Sequence, residues 1–423
     1  MLLPASLTDL LFAGEARDAD ICLAEENPAM REVLARYGEE IFRRAGTTGA
    51  FRVTGDRREA LRGADCVLYA GDCEAATRFA MDRSALSGEE EDDPGLTDQA
   101  RVSGGIGGLL HTLRAGSAAL DLCDEMDEEC PEALVVHLSR PTARITEIFT
   151  RRGYRSFGLG PSPLKGPNGL EALALRLGVK PEDVSARIAG LPGFAFLLEM
   201  KAGGKDLLPR VKRMVKDGEW GNLARRWLGW WDAVPVGDVT QHAEFLPAQP
   251  DYIPEERPAF GESVEKRRER ILWMNTVAEQ GANSREGAMA QLLLLSKASP
   301  LRPVRLALAL LRGETAVLPA VARRNRGELS GLPPEAVIEA DLRLRDGQEM
   351  PEGLRLPPAL TEIMWEIDET NRLAARAAFG DRGALRECLE KDPALAGLDR
   401  LYCQELTEKL IELHSDVLPR FSD

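Results

Sequence analysis

The chain has 423 residues, enough for two closely packed domains with sizeable cores. It carries 54 Lys and Arg against 69 Asp and Glu, a formal charge of -15, so no continuous basic surface is available to neutralise nucleic-acid phosphates. Apolar residues make up 44% and charged residues 29%, the balance of an ordinary globular protein. The basic cluster at residues 266–270 contains Glu269 and reads as a solvated helix face or a local patch. No run approaches the roughly 18 apolar residues that span a bilayer. The start, Met1-Leu2-Leu3-Pro4, lacks the basic and apolar regions of a secretory leader. The seven cysteines form no CxxC pair, so neither a disulfide framework nor a structural zinc site is expected, and the cytoplasm is the expected compartment.

Taken in chain order, residues 2–13 read as an amphipathic helix and residues 20–24 as a short buried strand. Residues 27–44 have helical periodicity. A strand is predicted near 51–54, a helix over 57–62 and a strong strand over 66–70. Residues 78–107 contain the acidic run 89–93 and the glycine-rich stretch 103–108, a composition that predicts a mobile surface loop or a lid. A long helix follows over 109–129, then a strand (133–138), a helix (142–152) and a strand (156–160). Strands separated by helices predict an α/β fold with a doubly wound parallel sheet over residues 1–165. Beyond that the alternation stops: 265–281 and 361–420 read as helix, and 336–342 alternates like a strand. Residues 166–423 are therefore expected to form a helix-rich α+β domain.

Several short motifs run in order along the chain. Gly107-Gly108 with Leu113-Arg114 is similar to "GPGGxxxxlR", and Cys130-Pro131-Glu132-Ala133 to "cPxAw". Gly204-Lys205-Asp206-Leu207-Leu208-Pro209 resembles "Gxdllp", and Glu244-Phe245-Leu246-Pro247 resembles "EFlP". Asn325-Arg326-Gly327, with Leu332-Pro333 and Glu339, resembles "NxGxIxxLPxxxxVE". Asp392-Pro393 and the tail His414-Ser415-Asp416-Val417-Leu418-Pro419-Arg420-Phe421 resemble the ending "hxdyLPxF". Together they resemble glycoside hydrolase family 4. The resemblance implies a Rossmann-like sheet and a reaction in which NAD⁺ takes hydride from the sugar's third carbon before a base eliminates the aglycone. Such NAD-dependent enzymes stand outside the usual two-carboxylate scheme. It also implies a divalent metal, usually manganese, held by a Cys at a strand end and a His in a "GLNH" turn.

Set against that pattern, this sequence departs at four places. The first strand and its glycine-rich turn do not precede the helix read at residues 2–13; a strand encoded further upstream and a lost pyrophosphate site are the two explanations. The strand end reads Gly158-Leu159-Gly160-Pro161 and the turn Gly190-Leu191-Pro192-Gly193, so neither matched metal position carries a ligand atom and no metal ligand is assigned. The "TNP" stretch reads Ser139-Arg140-Pro141, replacing a neutral hydroxyl reader by a fixed cation. Arg140 would favour an anionic sugar or, alternatively, pair with the acidic surface.

The resemblance also supplies candidate site residues. Glu25, after the second strand, stands where a ribose-binding acid is expected, or simply begins a turn. Ala70 and Gly71 would let the adenosine face approach the backbone, or end a strand. Gly107, Gly108, Arg114 and Arg140 are the candidate substrate contacts. Asp238 and His242 lie in the segment that keeps the family's base, and they form one further candidate metal set with Cys73. His111 and His137 are candidate ligands or structural residues. Trp227, Trp230 and Trp231 stack on a sugar or pack between helices. Two functions follow as expectations. One is a divergent glycosidase or sugar-oxidising enzyme; the other is a non-catalytic partner subunit or carbohydrate sensor. Impaired or altered redox chemistry is favoured, with NAD and manganese implied by the resemblance but poorly provided for by these residues. A homodimer or tetramer formed through second-domain helices is also expected.

Overall fold

The computed structural model describes residues 18–71, 75–87, 99–160, 163–164, 168–248, 268–269, 272, 275–276, 301–418 and 421. The helix expected at 2–13 and most of that expected at 265–281 lie outside them.

The first part alternates as the sequence predicts: β1 (Ile21–Ala24), α1 (Pro28–Ala45), β2 (Phe51–Thr54), α2 (Arg57–Leu61), β3 (Cys66–Tyr69), α3 (Ala75–Ser87), α4 (Gly105–Glu129), β4 (Leu134–His137), α5 (Thr142–Arg151) and β5 (Ser156–Leu159). Local chemistry sets the ends. The Asn27 side chain accepts from the Ala29 and Met30 N–H groups, Pro28 opens α1, and Gly46 closes it at φ 64°.

β1 and β2 pair in parallel as a two-stranded unit, and β3, β4 and β5 pair in parallel as another. In the doubly wound order 3-2-1-4-5-6, one strand belongs between β1 and β3. Among the described residues no strand pairs with either of those edges. The consequence shows in burial: β3 is only half-buried along its length, whereas β4 and β5 are buried throughout. The α/β arrangement with parallel pairing in this part is as expected.

The sheet then continues beyond β5 through antiparallel strands. These are β6 (Val184–Leu191), β7 (Phe194–Ala202), β8 (Lys205–Asp206), β10 (Ala316–Arg324) and β11 (Val337–Arg345), in the order β5-β10-β11-β6-β7-β8, with the short strand β9 (Val234–Pro235) on β7. Between them lie α6 (Gly221–Trp231) and α7 (Val239–Ala243), and three helices follow: α8 (Pro358–Ala377), α9 (Arg382–Lys391) and α10 (Arg400–Leu413). Leu109, Leu113, Val135, Ile148, Phe149, Leu385 and Leu410 share one core cluster, so α4 is packed between the parallel sheet and the C-terminal helices.

The stretch read as a lid is, where described, a buried strap. Residues 99–108 are all buried, and the long helix starts one turn earlier than expected, at Gly105. The buried Arg101 guanidinium donates to the carbonyls of Glu244 (2.9 Å) and Leu246 (2.7 Å). The Glu244 carboxylate accepts from the Val102 and Ser103 N–H groups, and Asp392 accepts from Gly105 N–H at 2.9 Å. A Cβ on Gly107 would lie 2.6 Å from the Arg101 nitrogen, and one on Gly108 2.6 Å from the Ser103 carbonyl carbon. These glycines admit the strap over the helix rather than a ligand. Gly107 and Gly108, the expected substrate contacts, are thus closely covered by the strap.

Arg114, also an expected substrate contact, is paired inside the protein. Its two terminal nitrogens clasp Asp82 at 3.1 and 2.6 Å, and Nε2 of His414 lies 2.6 Å from the same carboxylate. All three side chains are fully buried, so α3, α4 and the segment after α10 meet on one carboxylate. Removing one partner of a buried pair strands the other charge. Asp82→Ala should cost roughly 3–5 kcal/mol in urea unfolding; a loss below about 1 kcal/mol would mean that water reaches Arg114.

Candidate functional site at the ends of strands β4 and β5

Parallel sheets bind ligands beyond the carboxyl ends of their strands. At the end of β4 stands Arg140, and at the end of β5 stands Gly160. The β6–β7 hairpin closes the other side. Leu191 pairs with Phe194, leaving Pro192 and Gly193 as a two-residue turn, with Gly193 at φ 83°. Proline followed by a positive-φ glycine is the chemistry of a type II turn.

Glu339 of β11 reaches into this space. It pairs with Gly190 of β6 on one side and Ala322 of β10 on the other. Its side chain is fully buried. A Cβ on Gly160 would lie 3.6 Å from Glu339 Oε1, and the Gly193 N–H donates to the carboxyl group. The second oxygen, Oε2, is buried without a hydrogen-bond partner. Burial pushes the carboxyl up to about 8, opposed by the Gly193 N–H and by the field of Arg140. Both positions matched to the metal-binding Cys and His lie beside this carboxyl group, Gly160 through the direction of its Cβ and Gly193 through its N–H, while a Cβ on Gly193 would meet the Gln241 side chain at 2.9 Å.

Arg140 is half-buried, and its guanidinium has no hydrogen-bond or ion-pair partner among the described residues. Beneath it the buried His111 ring bonds to the Arg140 backbone. Burial and the neighbouring arginines hold His111 down at about 3, so it stays neutral.

The remaining expected residues lie elsewhere or are committed. His242 is fully buried, with Nδ1 3.0 Å from the Asp238 carbonyl and Nε2 2.9 Å from the Ala195 carbonyl. It stacks against Trp227, and burial lowers its pKa. Both nitrogens of this expected base are thus engaged with backbone carbonyls. Asp238 caps α7, accepting from the Thr240 N–H (2.9 Å) and hydroxyl (2.6 Å). Trp227 is buried and stacked on Trp231, so it packs rather than stacks on sugar; Trp230 is exposed. His137 is buried and bonds the Thr146 hydroxyl at 2.8 Å. Cys73 lies outside the described residues.

On the other side of the parallel sheet, Glu25 follows β1. One of its carboxylate oxygens accepts from Asn27 N–H at 3.0 Å. Ala70 is exposed after β3, and a Cβ on Gly71 would meet the Tyr69 hydroxyl at 2.0 Å. Gly71 thus makes room for the Tyr69 ring.

Comparison with known proteins defines the class. The family 4 glycosyl hydrolase model matches residues 5–161, and the model of the family 4 glycosyl hydrolase C-terminal domain matches residues 188–395. The chain belongs to glycosyl hydrolase family 4. It is 28% identical to an alpha-glucosidase of Erwinia rhapontici over 215 residues, 50% of this chain and 46% of that protein. It is 32% identical to an alpha-galactosidase of Bacillus subtilis (strain 168) over 124 residues, 29% of this chain and 28% of that one. The chain thus spans less than half the length of these curated relatives. Among solved structures, it resembles a 6-phospho-alpha-glucosidase from gut microorganisms in complex with NAD and Mn²⁺ (TM-score 0.77, 16% identity, covering 99% of this chain and 97% of that one). It also resembles the 6-phospho-beta glucosidase of Thermotoga maritima with manganese, NAD⁺ and glucose-6-phosphate (TM-score 0.72, 16% identity, covering 99% and 96%). At such identities the likeness establishes the fold.

Glu339 is the residue whose place in the site sequence reasoning missed. The signal was present, because the carboxylate falls inside the otherwise apolar strand pattern of 336–342. Its acid–base behaviour is testable. The unfolded carboxyl ionises near 4.5, whereas the folded one keeps its proton to about 8. Between those values only the unfolded chain gains by ionising, so Glu339 costs stability as pH rises through that window. Glu339→Gln should therefore gain stability relative to the parent as the pH rises from about 5 to about 8, measured by urea unfolding. An unchanged difference at the two pH values would show that the carboxyl titrates normally.

Proposed function

We propose that this chain is a family 4 glycosidase relative in which the ancestral reaction, NAD-dependent oxidation and elimination at a glycosidic bond, is impaired or altered. The observation that carries it is that Gly160 and Gly193, where the resemblance calls for thiolate and imidazole, offer no ligand atom and lie beside the Glu339 carboxyl, a residue the family motif shares, with the Arg140 guanidinium nearby. Among the described residues no group of three His, Cys, Asp or Glu side chains is arranged to hold a metal ion. The residues present do not fit manganese, and no step is routed through it. Of the two residues expected as base, His242 is engaged with two backbone carbonyls and Asp238 caps its helix.

NAD, when bound, supplies the hydride acceptor. Glu25 is the residue placed to take the ribose hydroxyls, and the backbone at Ala70 and Gly71 is the surface beside it. Arg140, a cation without a partner, would bind the anionic group of a sugar. The glucose-6-phosphate in the Thermotoga maritima structure supports a sugar phosphate as the ligand class.

The second reading, a non-catalytic partner subunit or sugar sensor, is favoured by where the surviving motifs act. Asn325, Glu244, Asp392 and His414 all hold the fold together. We also propose self-association as a dimer or tetramer through the later helices, where Trp230 and Trp365 leave 56% and 43% of their surface exposed. The cytoplasm is proposed as its compartment, since the six described cysteines are all free thiols.

Calorimetry with NAD⁺, with and without Mn²⁺, tests the proposal. It is paired with a screen of nitrophenyl glycosides and their phosphorylated and uronic forms. The expected result is weak NAD⁺ binding unaffected by Mn²⁺ and no metal-stimulated release of nitrophenol. Micromolar NAD⁺ affinity together with metal-stimulated release would overturn it.

A further inference from the structure

Three observations at the ends of β4 and β5 belong together. The family resemblance leads to two metal-ligand positions, and both carry glycine. A carboxyl oxygen of Glu339 lies within 3.6 Å of where a Gly160 side chain would begin, and its partner oxygen is buried without a hydrogen bond. The guanidinium of Arg140 acts on this carboxyl through its field while making no hydrogen bond or ion pair among the described residues. Acids outnumber bases 69 to 54, and several arginines elsewhere are clasped by carboxylates. Arg114 is held by Asp82, Arg323 by Glu328, and Arg152 by Asp124 and Asp127. A half-buried cation left unpaired amid so many acids is reserved for something else.

We infer that Arg140, with Glu339 as its counter-group, takes over the electrostatic place of the divalent ion, so that the chain holds the oxygens of an anionic sugar without a metal. A guanidinium is a permanent cation with five donors, suited to the two oxygens of a carboxylate or phosphate. It also repels a dication brought to the same space, and a protonated Glu339 would offer no charge to offset that repulsion. Loss of the two ligands and gain of Arg140 are then one change rather than two. The backbone beneath Arg140 is fixed by the buried His111 ring, which keeps the guanidinium at the strand end. Gly193, at φ 83° in its Pro-Gly turn, resists any side chain, so an imidazole is not readily restored there.

The inference rests on the proposed reading of the site, and its test is independent of NAD⁺ and of turnover. Gly160→Cys places a thiol beside Glu339 at a position with ordinary backbone geometry and room for a Cβ. Cobalt(II) is titrated into the full chain, and the thiolate-to-cobalt absorption band is read. In Gly160→Cys alone, Arg140 should keep cobalt affinity low. In Gly160→Cys combined with Arg140→Asn, affinity should rise at least tenfold, and Arg140→Gln should do the same if the Asn variant folds poorly. Equal affinity with and without Arg140 would overturn the inference.

A second arm uses calorimetry in the presence of EDTA with glucose 6-phosphate, glucuronate and glucose. The parent should bind at least one charged sugar, and Arg140→Asn should weaken that binding at least tenfold while leaving glucose unaffected. Which of the two charged sugars binds separates phosphate from carboxylate. Charged-sugar binding that EDTA abolishes in the parent, or that survives Arg140→Asn, would overturn the inference. Metal-stimulated turnover in the parent would sink the impaired-enzyme reading by its own, separate readout.

Discussion

A long helix cannot be buried at its amino end unless its free N–H groups find acceptors. Helix α4, 25 residues long, begins inside the protein with four glycine or apolar residues and no side-chain cap of its own. Its acceptor comes from 287 positions away, as the Asp392 carboxylate takes the Gly105 N–H. Glu244 takes the two N–H groups of the strap just before it, and Arg101 ties that strap to the backbone around Glu244. Further along the same helix, Arg114 is neutralised by Asp82, whose carboxylate also meets His414. The C-terminal helices and the segment around 244 are thus fastened to the parallel sheet through one helix. The position of everything at the strand ends depends on that fastening.

This explains which part of the sequence was legible. Alternating strands and helices were readable up to residue 160 because each element is short, capped and separated by turn chemistry. The motifs that revealed the family were also readable, but their meaning was not. Asn325 donates to the carbonyls of Leu329, Leu332 and Pro333 and accepts from Leu329 N–H, so the "NxG" motif is a buried turn clasp. Glu244 and Asp392 hold the strap, and His414 sits on Asp82. A motif records that a residue is needed; only its partners say for what. The glycine pair at 107 and 108 misled for the same reason, since a glycine that admits a ligand and one that admits backbone look alike in sequence.

The rest was hidden by length and separation. The hairpin of β6 and β7 contains Phe194-Ala195-Phe196-Leu197-Leu198, an apolar run whose period does not distinguish strand from buried helix. Without that hairpin, no reading of spacing brings Gly193 next to Glu339, which is 146 residues later in the chain. The unpaired state of Arg140 was equally invisible. Composition alone makes an ion pair the default for any arginine in so acidic a chain, and only the structure shows that Arg140 has no hydrogen-bond or ion-pair partner among the described residues.

The electrostatics of that corner favour keeping the pair as a unit. Two buried groups, each costly alone, become tolerable in different ways: Glu339 by holding its proton, Arg140 by keeping part of its surface in water. Such an arrangement has no internal reason to keep the cation unpaired. A salt bridge between the two would lower the energy of both if the geometry allowed close contact, yet Oε2 of Glu339 is left without a partner. The backbone fixes the separation instead, through His111 under Arg140 and the Gly193 N–H on the carboxyl. Stability forgone at a rigid site is the usual mark of a site kept for binding. That forgone pairing is the physical ground for the proposed oxyanion site at the end of β4.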